Sequence, residues 1–415
     1  MSPTNPRYDV IVVGARCAGA PTAMLLARRG YRVLVVDRAT FPSDTLSTHL
    51  IHAPGVAALD RWGVLDDVVA SGCPPIETYS LDFGPVTISG TPRPQDGTST
   101  TVAYAPRRTV LDKILVDAAD HAGAEIREGF SVDEILFDDR GTVVGICGRD
   151  PAGTNVTEHA QVVVGADGWN SRVARAVEAD RYNEKPMRQT SFYTYWSGLS
   201  VDGMQTYIRP DRGWGMFPTN DDLTLLVLGW PQAEAAAYKA DVQGNYLKTL
   251  ELVPDVAKRV AGATRESRFA GGSVPNFFRK PYGPGWALVG DAGYTKDPIT
   301  AQGISDAFRD AELCATALDQ TLRGERSFDD AMATYQQTRD SHALPIYEFT
   351  NQLATLEPPP VEVQQLLGAI DGQPDAMSAF VSVVAGTLSP VEFFDPTHIQ
   401  QLLARAGAST ATGPN

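Results

Sequence analysis

The first forty residues constrain this chain more than anything that follows. Tyr8-Asp9-Val10-Ile11-Val12-Val13-Gly14 has the composition of a buried strand. A small-residue and Leu-rich stretch from Ala18 to Arg29 follows at helical spacing, stopped by Gly30, and Arg32 to Asp37 reads as a second strand. Two near-continuous apolar strands joined by one helix make a β-α-β unit, which requires a parallel sheet covered on both faces. Gly14 supplies the tight turn out of the first strand, and Gly19 lets the helix pack closely on the sheet. Asp37 ends the second strand 23 positions after Gly14. A pyrophosphate fits over such a helix N-terminus, where unpaired N–H groups and the helix dipole favour anions. An acid in the place of Asp37 accepts ribose hydroxyls. The pattern departs from three glycines at Arg16, whose guanidinium either pairs with the phosphates or points away into solvent.

The remaining chain predicts an α/β architecture. The segment from Ser71 to about Thr101 is rich in Gly, Pro, Thr and Ser, so the chain leaves the first sheet there and returns through a helix at Leu111–Ala122. Residues 131–149 read as a hairpin turning at Asp139-Arg140-Gly141, and Gln161 to Gly165 as a further buried strand. Residues 188–230 are rich in Tyr, Trp, Thr and Val and suit an antiparallel sheet. A helical piece at 233–260 precedes a return strand, Trp286 to Gly290, and the chain is mostly helical from Ala301 onward. A Rossmann-like domain is therefore expected from residues 1–75, 102–180 and 270–345, and an antiparallel-sheet substrate domain from 76–101 and 181–269. Residues 346–415 form a helical C-terminal region. Within it, Glu357–Gln373 reads as a solvated helix pair, with a pocket cover or a dimer contact as the alternatives.

Composition narrows the function classes. At 415 residues the chain exceeds one compact core. Cys17, Cys73, Cys147 and Cys314 are scattered without a paired spacing, which suits isolated thiols in a reducing compartment and gives neither a disulfide frame nor a metal site. A formal charge of −15 argues against nucleic acid, which needs clustered Lys and Arg. The polar start lacks a secretory signal, and no run of about 18 apolar residues occurs, so a cytoplasmic protein with no membrane span is expected. The oligomeric state stays open.

Two further motifs follow strand ends. One is Gly165-Ala166-Asp167-Gly168-Trp169-Asn170-Ser171-Arg172. The other is Gly290-Asp291-Ala292-Gly293, continued by Asp297-Pro298-Ile299-Thr300-Ala301-Gln302-Gly303-Ile304. Together with the opening unit, in this order and at these separations, the chain resembles the FAD-dependent monooxygenase superfamily of the aromatic-hydroxylase fold, related to geranylgeranyl reductases and flavin-dependent halogenases. The resemblance covers most of residues 8–345. It implies that Gly14, Arg16, Cys17, Ala18, Gly19, Asp37 and Arg38 surround the ADP half of FAD, and that Arg108 reaches the pyrophosphate or ribityl chain. Asp167 belongs to a motif linking FAD and nicotinamide binding. Gly290 and Asp291 hold the ribityl chain, and Pro298, Gln302, Gly303 and Ile304 line the isoalloxazine ring. A helix start there offsets the negative charge of the reduced ring.

Three chemistries compete. A hydroxylase of this fold uses NAD(P)H as a transient reductant and oxygen as co-substrate, and needs no separate nicotinamide fingerprint. A halogenase is expected to carry Trp-x-Trp-x-Ile-Pro and a lysine near the pocket. Here Trp214-Gly215-Met216-Phe217-Pro218 lacks the second Trp, and no lysine precedes Lys113. Gly293-Tyr294 and the Pro298–Ile304 stretch lean toward the reductase branch. A flavin-containing protein without turnover is the fourth reading. Candidate catalytic groups are His49 and Tyr294, with Asp297 as a polar group or a helix cap. His49 and His52, three apart on an expected helix, form no metal site without a third ligand. Tyr193, Tyr195, Trp196 and Tyr207 read as sheet core or pocket roof. Trp214, Met216, Phe217 and Pro218 are the expected substrate contacts, suiting an aromatic or polycyclic small molecule.

Overall fold

The computed structural model describes residues 8–411, with side chains described to residue 404. β1 (Tyr8–Val13), α1 (Gly19–Ala27) and β2 (Val33–Val36) form the expected unit, its strands parallel and paired from Val10↔Val33 to Val13↔Val36. Both strands are buried on both faces, which is why their apolar runs are unbroken. The chain then leaves this sheet for a hairpin of β3 (Tyr79–Asp82) and β4 (Thr87–Gly90). It returns through α2 (Arg108–His121) to add β5 (Glu125–Arg127) beside β2. The helix starts ahead of the expected Leu111 because its first turn, opened by Arg108-Thr109, carries no apolar period.

β6 (Ser131–Phe137) and β7 (Val143–Arg149) form the expected hairpin. β8 (Asn155–Gly165) is longer than its apolar stretch: Asn155–His159 pairs antiparallel with β7, and the second half runs parallel to β1. Its first half alternates exposed and buried residues, a pattern without a continuous apolar signal.

β9 (Gln189–Ser197), β10 (Met204–Arg209), β11 (Arg212–Pro218) and β12 (Leu223–Pro231) build the second sheet, in the order β9-β12-β11-β10-β3-β4. It is antiparallel except where β10 runs parallel to β3, a strand that arrives from a separate excursion of the chain. The stretch 233–260 divides into the helices Ala235–Ala240, Val242–Leu250 and Pro254–Ala261, broken at Asp241, which caps the second, and at Pro254. β13 (Ala270–Gly272) joins β9, β14 (Asn276–Arg279) pairs with Tyr294–Thr295, and β15 (Trp286–Leu288) joins the first sheet beside β8, with Tyr282–Gly283 antiparallel on its outer side.

Six helices follow among the described residues: α3 (Gly303–Leu322), α4 (Phe328–Leu353), α5 (Val361–Ile370) and α6 (Pro374–Val384), then Pro390–Phe393 and Pro396–Ala411. Glu357–Gln373 therefore holds one helix rather than a solvated pair. Leu366, Leu367 and Ile370 of α5 are buried with Phe380 and Val381 of α6 against Tyr79, Phe217 and Leu225 of the second sheet. The opposite face, with Trp214, Met216, Leu228 and Trp230, is covered by Tyr246, Leu250 and Val260 of the 235–261 helices. The second sheet is thus wrapped on both sides. No helix among the described residues is long and apolar enough to cross a membrane.

Candidate active site

β15, β8, β1 and β2 are neighbours and mutually parallel, so their carboxyl ends share one edge of the sheet. That edge is where open α/β sheets bind ligands. Gly14, Asp37, Asp167 and Asp291, scattered over nearly 280 residues, meet there around a cavity of about 670 Å³. The cavity continues past this edge to the second sheet, where Ser191, Tyr193 and Val227 form its wall.

At the α1 end, Gly14 has φ +102°, and a Cβ there would stand 2.5 Å from the Ala166 carbonyl oxygen. Gly19 does not line the cavity; it packs against Gly14 and Ala166, the close approach that its position requires. No side chain caps the α1 N-terminus. Asp37 accepts the Ala15 amide at Oδ2 and the Ala39 amide at Oδ1, each at 2.8 Å, so its carboxylate is fixed against the turn. Arg38, Cys17 and Ala18 also line the cavity.

Arg16 lines the cavity and is held there by protein partners rather than pointing away into solvent. Its Nη1 is engaged by the fully buried Asp112 carboxylate, and Nη2 donates to Ser43 Oγ at 2.9 Å. Arg108 donates to Asp112 Oδ1 from both Nε (3.0 Å) and Nη2 (2.8 Å). One buried acid thus aligns two of the guanidiniums that line the cavity. Asp112 was missed as a site residue, although its place four residues after Arg108 on a helix is a legible ion-pair spacing. Cys17 donates to Asp112 at 3.4 Å, and burial pushes its thiol up to about 12, which makes it an unreactive packing residue.

At the far end, Asp291 is exposed to the cavity and has no hydrogen-bond partner among the described residues. Burial of its surroundings pushes the carboxyl up to about 6 against the pull of Lys296 and Arg108. Asp167 accepts the Arg172 amide at 2.6 Å through Oδ2, while Oδ1 is unpartnered. Gly290, Pro298, Gly303 and Ile304 line the cavity, and α3 opens there. Gln302 does not: its amide turns away to donate to the Val384 carbonyl at 2.7 Å, tying the loop to α6. Lys296 lines the cavity, an outcome the lysine argument from sequence did not anticipate. It is ion-paired with Asp306 in the first turn of α3. Burial would raise the Asp306 carboxyl, but Lys296 and Arg309 outweigh it and hold the group at about 2.

The two candidate catalytic groups are both committed elsewhere. Tyr294 lines the cavity, yet its hydroxyl accepts Arg309 Nη2 at 2.9 Å and its ring stacks on Phe278 at 4.9 Å. His49 lies behind the wall, outside the cavity lining, with Nε2 2.7 Å from the Tyr195 hydroxyl and its ring edge-on to Tyr193. The segment before His52 is not helical; His49 has φ +65° and the helix begins at Ala53. No group of three acidic, His or Cys residues among the described residues is placed to hold a metal.

The expected substrate contacts also move. Trp214 and Met216 point to the face under the 235–261 helices, with Trp214 stacked on Tyr207 at 5.4 Å. Phe217 is on the cavity's side of the sheet but is buried with α5 and α6, and neither it nor Pro218 lines the cavity. Strand alternation allowed only one of the two sets to face inward, and β9 and β12, not β11, stand beside the cavity.

Comparison with known proteins gives the family of the chain. Residues 7–350 match the family model described as FAD binding domain. The chain is 25% identical to a tryptophan 2-halogenase of Chondromyces crocatus, over 91% of this chain and 76% of that one. It is 27% identical to a menaquinone reductase of Mycolicibacterium smegmatis (80% and 81%) and 28% identical to a 6-methylpretetramide 4-monooxygenase of Streptomyces rimosus (81% and 81%). Among solved structures, the myxobacterial chondrochloren halogenase CndH superposes with a TM-score of 0.77 at 23% identity, covering 96% of each chain. The chain belongs to the FAD-binding domain family and is a flavin-dependent oxidoreductase. Its residues fit FAD: an uncapped helix start for the pyrophosphate, a fixed Asp37 for the ribose, and a partnerless Asp291 within the same cavity.

Proposed function

We propose that this enzyme is an FAD-dependent monooxygenase that uses NAD(P)H and oxygen to hydroxylate or epoxidise a small aromatic or polycyclic molecule. One observation carries the reading: the cavity is continuous from the dinucleotide edge to the second sheet, leaving an organic substrate room between Tyr193, Val227 and the Pro298 loop. When bound, FAD supplies the oxidation chemistry. The residues of this chain do the rest. The α1 N-terminus, Asp37 and the Asp112-aligned Arg16 and Arg108 hold the ADP half, and Asp291 holds the ribityl chain. The α3 N-terminus and the Lys296–Asp306 pair face the ring, and the aromatic wall braced by His49 and Tyr195 keeps water from it. The relative named as a monooxygenase of a pretetramide supports the substrate class.

Two observations keep halogenation behind. The cavity's lysine is occupied by Asp306, and the tryptophan expected to face substrate lies on the opposite face of its sheet. Reduction of an isoprenoid or quinone is the second reading, favoured by the menaquinone reductase likeness. The experiment is anaerobic reduction of the FAD-loaded protein by NADH or NADPH, followed by oxygen in a stopped-flow spectrometer. A monooxygenase returns to the oxidised spectrum through a distinct transient that lengthens with bound substrate; direct return without a transient favours the reductase.

A further inference from the structure

The carboxyl of Asp297 is held from several sides and left open on one. Gln189 of β9 donates to Oδ1, the Ile299 amide donates to the same oxygen at 3.0 Å, and the Asp297 amide donates to Asn276 Oδ1 of β14 at 2.7 Å. Oδ2 has no hydrogen-bond partner, although the residue is 2% exposed and lines the cavity. Every group that holds it is uncharged, no ion pair reaches it among the described residues, and the adjoining Lys296 is taken by Asp306. Tyr193 is the titratable group that β9 brings to the same cavity. Capping the turn at Ile299 needs one oxygen only. Leaving the other buried and unpaired costs stability unless a ligand supplies the missing donor.

Resting on the monooxygenase reading, we propose that Asp297 reads the substrate: Oδ2 accepts a hydrogen bond from a hydroxyl or N–H of a neutral aromatic molecule, and the uncompensated carboxyl turns carboxylate-bearing aromatics away. A hydroxyl satisfies the carboxyl whether it is ionised or protonated. An ether satisfies only the protonated form, and a second carboxylate beside the ionised one is repelled, since the adjoining Lys296 is already paired with Asp306. Burial pushes the Asp297 carboxyl up to about 7, so a measurement at pH 8 reads its ionised form.

The test compares 2-naphthol, 2-methoxynaphthalene and 2-naphthoate binding to the FAD-loaded protein at pH 8, read by naphthyl fluorescence. Wild type is expected to bind the naphthol about tenfold or more tightly than the methyl ether, and the naphthoate most weakly. Asp297→Asn puts an N–H donor where Oδ2 stood, so it is expected to erase the advantage of the naphthol by raising the ether to the naphthol's level; a residue that merely held the fold would weaken both alike. Equal binding of naphthol and ether by wild type, no binding of any probe, or an unchanged ranking in the variant each overturns the proposal. The fluorescence readout works with or without flavin, so failure of the protein to hold FAD is seen separately, in its visible spectrum.

Discussion

The ring of His52 meets the carbonyl oxygen of Thr300 at 3.0 Å through Nε2, joining the start of a helix to the Pro298 loop 248 residues later. A carbonyl only accepts, so Nε2 carries the proton and Nδ1 accepts from the Tyr79 hydroxyl at 2.8 Å. The neutral ring is fully satisfied, and the loop that carries Asp297 is anchored by it.

That arrangement predicts acid sensitivity. Burial holds His52 at about 4, against a pull upward from Thr300; burial and then Arg108 hold His49 at about 3. Both lie below the unfolded value of 6.5, so the unfolded chain takes up protons first as pH falls. The stability from keeping the rings neutral is complete above about pH 6.5 and is lost toward pH 4 and 3. At pH 5 each histidine costs about 2 kcal/mol by this linkage. Asp291 and Asp297, whose carboxyls are held above 3.8, gain stability over the same interval, so the histidine contribution is read as a difference: in urea, the stability of His52→Gln relative to wild type should move by about 2 kcal/mol in the variant's favour from pH 7.5 to pH 5, and an unchanged difference contradicts the assignment.

Gly14 makes a second, purely structural prediction. Alanine there carries a left-handed φ and a Cβ 2.5 Å from a backbone oxygen that belongs to another strand end. The relief requires β1 and β8 to part. Gly14→Ala should lower unfolding free energy by about 3 kcal/mol even without FAD. Denaturation of the apoprotein checks it, and a variant as stable as wild type would mean that the turn relaxes freely.

The sequence made the edge at Gly14 legible and hid other placements, for physical reasons. Apolar runs at strand period, ended by Gly14, Gly165 and Gly290, announce parallel strands and the edge they share, because chain direction alone sets which end of each strand is the carboxyl end. The facing of β11 was not legible: Trp214, Met216 and Phe217 are all large and apolar, and a sheet wrapped on both faces gives no polar alternation to separate inside from outside. Gln302 misled because its side chain serves α6, an element remote in sequence. Asp112 hid in plain view, since an acid one turn from an arginine is equally at home on a solvated helix.

The facing of β11 can be checked directly. Trp214 stacks on Tyr207 beneath the 235–261 helices, so Trp214→Ala should cost about 3–5 kcal/mol of stability as a large core truncation. FAD stoichiometry and the flavin spectrum of the folded variant should match wild type. A flavin spectrum altered at full occupancy would put the indole back beside the cavity.

Asp291 offers the opposite dissociation. Its carboxylate makes no bond to the described protein, so removing it breaks nothing in the fold, whereas FAD loses a charged acceptor for a ribityl hydroxyl. At pH 8 Asp291→Ala should be at least as stable as the wild-type apoprotein, because a carboxyl held above 3.8 costs the fold stability when ionised, and it should bind FAD about 10- to 100-fold more weakly. Removing the acid also removes a pH effect: its carboxyl sits at about 6, above the ordinary 3.8, so it accepts most weakly in acid and wild-type affinity should fall as pH drops below about 6. Flavin fluorescence titration at pH 5 and pH 8 reads both quantities. A variant that keeps wild-type affinity at pH 8 would move the ribityl chain to another acceptor, and the unpartnered Oδ1 of Asp167, at the end of the neighbouring strand, is the group to replace next.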